Sequence, residues 1–197
     1  MIAVIDYDAG NIRSVMNALG RLGAEYVLTS DPELIRAADR VILPGVGEAR
    51  SAMENLRLRG LDRVIPELEC PVLGIICIGM QLLCRRSDEG NVECLGVFDS
   101  DVRALEPDRA AGVKVPHVGW NRLGDMKGPL FRGLEDGTYV YFVHSFAADV
   151  CGDTIAKCLN DREFSAALSK RNFYGVQFHP EKSGAAGERI IANFLGI

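Results

Sequence analysis

Long apolar runs are missing from this chain. The longest, such as Val72 to Ile78, fall far short of the roughly 18 residues a membrane helix needs, so no helical span is expected. Clustered positive charge is missing too. The 27 acidic and 22 basic residues are scattered and sum to -5, which leaves no basic block to follow a phosphate backbone and excludes nucleic acid as a partner. Metal-ligand spacing is absent: there is no CxxC or HxxxH, and the histidines stand well apart at 117, 144 and 179, so neither a metal nor another cofactor is expected. The first residues, Met1 to Asp6, show no basic region and no long apolar stretch of a signal peptide. Six cysteines, at 70, 77, 84, 94, 151 and 158, are therefore expected to be reduced thiols in the cytoplasm. Linkers, repeats and low-complexity segments are lacking as well, and 197 residues suit one domain over 1–197 with its own core.

What is present is an alternation of short β-branched runs with helical patterns. Ile2 to Ile5, Glu25 to Leu28, Arg40 to Leu43 and Val72 to Ile76 read as strands. Between the first two, Ile12, Val15, Met16, Leu19 and Leu22 recur at helical spacing, with Asn11 as a cap and Gly23 as a stop. Ser30-Asp31-Pro32 opens another helix. Such alternation predicts parallel βαβ units, and so an α/β sandwich with helices on both faces of the sheet. From about Glu93 to Phe178 short strands separated by Gly, Asp, Asn and Pro predict a mixed or antiparallel extension, and a last helix runs over about Ala185 to Phe194.

Ligands of open α/β sheets bind beyond the carboxyl ends of the strands, and three segments there carry chemistry. Cys77 follows the apolar strand and precedes Gly79 and a helical pattern, the outline of a nucleophile elbow. The positive end of the following helix favours a thiolate there; a cysteine so placed can equally be a core residue. His179 and Glu181 follow another strand. Two apart, they project to one side of an extended segment, and the carboxylate can then orient the imidazole as a base. Taken singly the pair reads as a surface ion pair or a ligand fragment. Leu43-Pro-Gly45-Val46-Gly47 frees backbone N–H groups for an oxyanion, or is a plain turn; its spacing is not that of a phosphate loop.

Together Pro44 to Gly47, Cys77-Ile-Gly-Met-Gln81 and His179-Pro-Glu181 resemble the class I glutamine amidotransferases. Residues 5–14, Val115 to Asn121, Tyr141 to Ser145 and Asn172 to Ser183 resemble, within that class, the glutaminase subunits of imidazole glycerol phosphate synthase, over nearly the whole chain. The resemblance implies a flavodoxin-like three-layer sandwich. It implies a cytoplasmic enzyme of histidine biosynthesis in which Cys77 attacks glutamine, His179 carries the proton and Glu181 orients it. Backbone N–H groups near Gly45, Val46 and Gly47 hold the oxyanion, while Gln81, His144, Ser145 and Phe146 line the glutamine pocket. The ammonia passes to a cyclase subunit built as a (β/α)8 barrel, in a heterodimer classed as a lyase. Asn11, Pro116, His117, Trp120 and Asn121 are implied at that interface, although core packing is an alternative for Trp120. Two positions depart from the family pattern. Gly74-Ile-Ile-Cys77 holds one residue more than Gly-Ile-Cys, with Ile75 expected to crowd the turn, and Asp8 stands where glycine is common. Readings left open are another synthase of the same class, an inactive scaffold and a solitary cysteine hydrolase.

Overall fold

A computed structural model describes residues 1–8, 12–45, 47–108, 110 and 112–197. Its first half alternates strand and helix: β1 Ile2–Ile5, α1 Arg13–Arg21, β2 Tyr26–Thr29, α2 Pro32–Arg36, β3 Arg40–Pro44, α3 Ala49–Leu58, α4 Leu61–Val64, β4 Val72–Ile75 and α5 Ile78–Gln81. The strands follow the β-branched runs, and α2 starts at its expected cap, with the Asp31 carboxylate accepting from the Glu33 amide at 2.9 Å. Asn11, the expected cap of α1, lies outside the described residues; Ile12 stands at the helix's N-cap.

The second half is β5 Arg86–Ser87, β6 Val92–Glu93, β7 Asp101–Ala104, β8 His117–Arg122, β9 Tyr139–His144, β10 Phe146–Ala148, β11 Thr154–Leu159, β12 Glu163–Lys170, β13 Phe173–Val176 and α6 Gly184–Leu195. A seven-stranded sheet runs in the order β11-β12-β13-β4-β3-β1-β2. Its five strands from β13 to β2 are parallel, and β12 and β11 extend it antiparallel. β8 and β9 form a separate antiparallel ribbon, and β10, β7, β5 and β6 a small third sheet.

Alternate residues of the central strands feed two cores. Ala3, Ile5, Val41, Leu43 and Val72 meet α2 to α5 on one face, whereas Ile2, Val4, Ile42, Leu73 and Ile75 meet α1 and α6 on the other. This is the three-layer sandwich the alternation predicts. Its consequence for chemistry is that β3, β4 and β13, adjacent in the sheet, release Gly45, Cys77 and His179 at one edge.

The extra elbow residue is absorbed at Ile76. Ile75 remains a regular strand residue opposite Pro44 with its side chain in the core, so the expected crowding at Ile75 does not occur. Gly74 makes the close approach instead: a Cβ there would sit 2.4 Å from the Gly79 carbonyl oxygen. Ile76 then turns left-handed (φ 63°), followed by Cys77 (φ 50°). For a β-branched residue that conformation costs about 1–2 kcal/mol, less than the ~3 kcal/mol that burying an isoleucine supplies, and Ile76 is buried. Asp8 is also left-handed (φ 62°), a region Asp tolerates better than most residues, which fits its standing where glycine is common. Its carboxylate pairs with Arg59.

Candidate functional site

The elbow rests on three glycines. Gly45, Gly74 and Gly79 let the first turn of α5 lie directly on the ends of β3 and β4, since a Cβ on Gly45 would reach within 1.8 Å of the Gly79 nitrogen. The Tyr7 hydroxyl, buried beyond β1, donates to the Pro44 carbonyl at 2.6 Å and fixes the end of β3.

Cys77 opens onto a cavity of about 350 Å³ whose wall includes Gly45, Gly47, Glu89, Ser145, Phe146 and His179. Beneath the sulfur lies Gln81, fully buried, whose amide nitrogen is 3.4 Å from Sγ and 2.9 Å from both the Phe146 carbonyl and Gln177 Oε1. Burial pushes the thiol up to about 12, against the lowering by a hydrogen bond with Gln177, and the Glu89 charge raises it further. The thiol is therefore neutral, contrary to the expectation of a helix-stabilised thiolate. α5 has four residues, and desolvation outweighs so short a dipole.

His179 follows β13, and its amide donates to the Tyr141 carbonyl at 2.8 Å. Pro180–Lys182 is a 3-10 turn rather than the extended segment the sequence suggests, so His179 and Glu181 meet within a turn, with Nδ1 2.9 Å from Oε1. The carboxylate accepts the Nδ1 proton and leaves Nε2 as the free base. Ser183 locks this turn: its hydroxyl donates to the His179 carbonyl at 2.6 Å and accepts the Tyr141 amide at 2.9 Å. Ser183→Ala takes this acceptor from the Tyr141 amide and leaves the His179 carbonyl with the Lys182 amide alone; it is expected to lower stability by about 1–3 kcal/mol, read as a shift of the urea midpoint at constant slope.

Other expected residues divide. Gly45, Gly47, Gln81, His144, Ser145 and Phe146 line the cavity, and Pro116, expected at an interface, lines it too. Val46 and Asn11 lie outside the described residues. Trp120 is 53% exposed and stands edge-on to Tyr141 at 5.9 Å, so core packing is ruled out for it. Asn121 is half-buried. His117 is buried, with 8% exposure, and stacks on Phe142 at 4.9 Å; its side chain is not part of the surface that Trp120 occupies.

Sequence reasoning missed Gln177 and Glu89. Gln177 stands two residues before His179, and period-two alternation along the strand that ends there points to it. Glu89 gives no local signal: the Ala49 amide, forty positions away, donates to its carboxylate at 3.0 Å. Burial raises its pKa, opposed by that hydrogen bond.

His144 is deeply buried, and desolvation depresses its pKa to about 3, well below the usual value of about 6.5. Between those values the unfolded chain binds a proton that the folded one refuses, so stability falls as pH drops from about 6.5 towards 3. His117 is lowered by burial as well and adds in the same direction. His144→Asn is therefore expected to flatten the pH dependence of the unfolding free energy across that window, measured by urea titration at several pH values.

Among the described residues no group of three or more His, Cys, Asp or Glu could hold a metal ion, and no helix is long and apolar enough to cross a membrane. A family profile described as Glutamine amidotransferase class-I matches residues 3–196. The chain belongs to that family. It is 59% identical over 196 residues to the imidazole glycerol phosphate synthase subunit HisH of Bacteroides fragilis (strain YCH46), covering 100% of this chain and 99% of that protein. To the protein of the same name from Escherichia coli (strain K12) it is 48% identical, covering 98% of each. The crystal structure of a putative GMP synthase protein from Thermoplasma acidophilum shares the fold, with a TM-score of 0.75 at 22% identity over 99% of this chain and 92% of that one. In a class I amidotransferase chain, a thiol, an imidazole–carboxylate pair and the Glu89 carboxylate around one cavity are a set of groups able to bind and cleave an amino-acid amide.

Proposed function

We propose that residues 1–197 form one glutamine amidotransferase domain, the glutaminase subunit of an imidazole glycerol phosphate synthase in histidine biosynthesis. The observation that carries this reading is the meeting of Cys77, the His179–Glu181 pair and Glu89 around one amino-acid-sized cavity. It is supported by the name shared by the relatives that match the chain end to end.

In this reading the glutamine ammonium faces the Glu89 carboxylate and its side-chain amide lies over Cys77. The thiol is neutral at rest, so its proton passes to His179 Nε2 as sulfur attacks the carbonyl carbon. Backbone N–H groups of Gly45, Gly47 and Ile78 hold the oxyanion. The tetrahedral centre collapses to a thioester, His179 returns the proton to the leaving nitrogen, and ammonia departs. Water, deprotonated by His179, then cleaves the thioester to glutamate and regenerates the thiol.

The ammonia goes to a cyclase partner built as a (β/α)8 barrel, joined in a cytoplasmic heterodimer with lyase activity. Val118, Trp120 and Tyr139, all exposed on the β8–β9 ribbon, give that partner an apolar face of the kind interfaces use. The test is glutamate release from glutamine by the purified chain, with and without the cyclase and its ribulosyl substrate. Partner-stimulated release supports the reading; a stable complex that releases none would make the chain a scaffold.

A further inference from the structure

A chain of hydrogen bonds leads from half-buried Asn121 on the β8–β9 ribbon inward to the sulfur, and its polarity is fixed at both ends by the backbone. At the outer end the Arg122 amide donates to Asn121 Oδ1 at 2.8 Å and the Leu159 carbonyl accepts from Asn121 Nδ2 at 2.9 Å. Nδ2 also lies 3.2 Å from His117 Nε2, so Nδ2 donates and that ring nitrogen accepts. At the inner end His144 Nδ1 is 2.8 Å from the Phe146 carbonyl, which can only accept. His144 therefore carries its proton on Nδ1, and its Nε2 is the acceptor. Between the rings, His117 Nδ1 stands 2.9 Å from His144 Nε2, and donation from His117 satisfies both requirements. Each ring is left as the Nδ1–H tautomer. The Phe146 carbonyl, held from one side by His144, takes the Gln81 amide from the other, and Gln81 lies under Sγ.

We propose that His117 and Asn121 are positioning residues for the glutamine cavity, acting through His144 to hold the Ser145–Phe146 wall and, through Gln81, the floor beneath Cys77. The proposal rests on the glutaminase reading for its kinetic consequence and is independent of it for its protonation pattern. His117 touches no substrate, but its donor decides how the cavity wall is pinned.

With three histidines in the chain, the ring nitrogens can be assigned by 15N–1H correlation spectra of the full chain at neutral pH. The expected result is Nδ1–H on both His117 and His144. Asn121→Asp replaces the donor with a carboxylate facing His117 Nε2. The other titratable groups acting on that ring are His144, across the ribbon, and Asp161. His117 is then expected to carry protons on both nitrogens. His117→Phe keeps the stack on Phe142 and loses the donor. It is expected to move the His144 nitrogen shifts and to raise the KM for glutamine about tenfold with kcat within about threefold, the effect of one lost hydrogen bond. Should this variant fail to fold, Asn121→Leu carries the same two readouts. An Nε2–H tautomer on either ring of the unaltered protein overturns the proposal, as does a donorless variant with unchanged His144 shifts and unchanged KM. If the unaltered complex releases no glutamate, the glutaminase reading fails, and the tautomers still decide the relay.

Discussion

Alanine at Cys77 is expected to cut partner-stimulated glutamate release by about 10⁴-fold or more, and alanine at His179 to do nearly as much. The first substitution removes the atom that forms the thioester. The second leaves a thiol whose pKa stands at about 12 with no neighbour to take its proton, so roughly one molecule in 10⁵ carries a thiolate at neutral pH. Because the two groups act on one event, their losses do not add, and the double variant should be no slower than Cys77→Ala. Rates are compared at saturating glutamine in the assembled complex, so that weakened binding does not enter. A His179→Ala enzyme within tenfold of the unaltered one would mean that another group receives the thiol proton.

The second large effect belongs to a residue with no functional group. A methyl on Gly79 would stand 2.3 Å from the Leu43 carbonyl oxygen and close to Pro44 and Gly45, all backbone atoms that cannot turn aside. α5 must lift from β3, and Cys77, just ahead of that helix, moves as well. Displacements of about 1 Å at a reacting atom cost on the order of 100-fold in rate, and forced repacking costs ~1–3 kcal/mol. Gly79→Ala should therefore lose both activity and stability. Gly20→Ala supplies the contrast. In α1 an added methyl meets nothing within 4 Å, and the higher helix propensity of alanine is expected to raise stability by about 1 kcal/mol. Thermal unfolding of both variants, together with the rate assay, separates a damaged elbow from a general effect of adding a side chain.

Cys77, Gly79 and His179 are legible in the sequence alone, because they follow apolar strands, the β-branched Val72–Ile75 and the aromatic-rich Phe173–Val176. The parallel core and both helix layers are legible for the same reason, since period-two and helical spacing report which face each side chain takes. What stays hidden depends on contacts between distant segments. Glu89 joins the cavity only because its turn packs on the start of α3. The extra elbow residue looks like a burden on Ile75, whereas the contact of Gly74 with Gly79 keeps Ile75 in the strand and passes the left-handed turn to Ile76. The thiol's protonation is hidden in the same way, since the helix that follows can be seen in the sequence but its shortness and the desolvation of the sulfur cannot. His117, which as a sequence feature belongs to an exposed turn-rich strand, is the inner residue of a two-stranded ribbon.

The raised thiol has a meaning outside the catalytic cycle. Oxidants and electrophiles attack thiolates far faster than thiols, and Cys77 keeps almost none of its population in that form until a base and a substrate draw the proton away. Cys84, Cys94 and Cys158 are pushed up by burial too. A chain waiting between turnovers is thus expected to react slowly with peroxide and small disulfides at its nucleophilic sulfur.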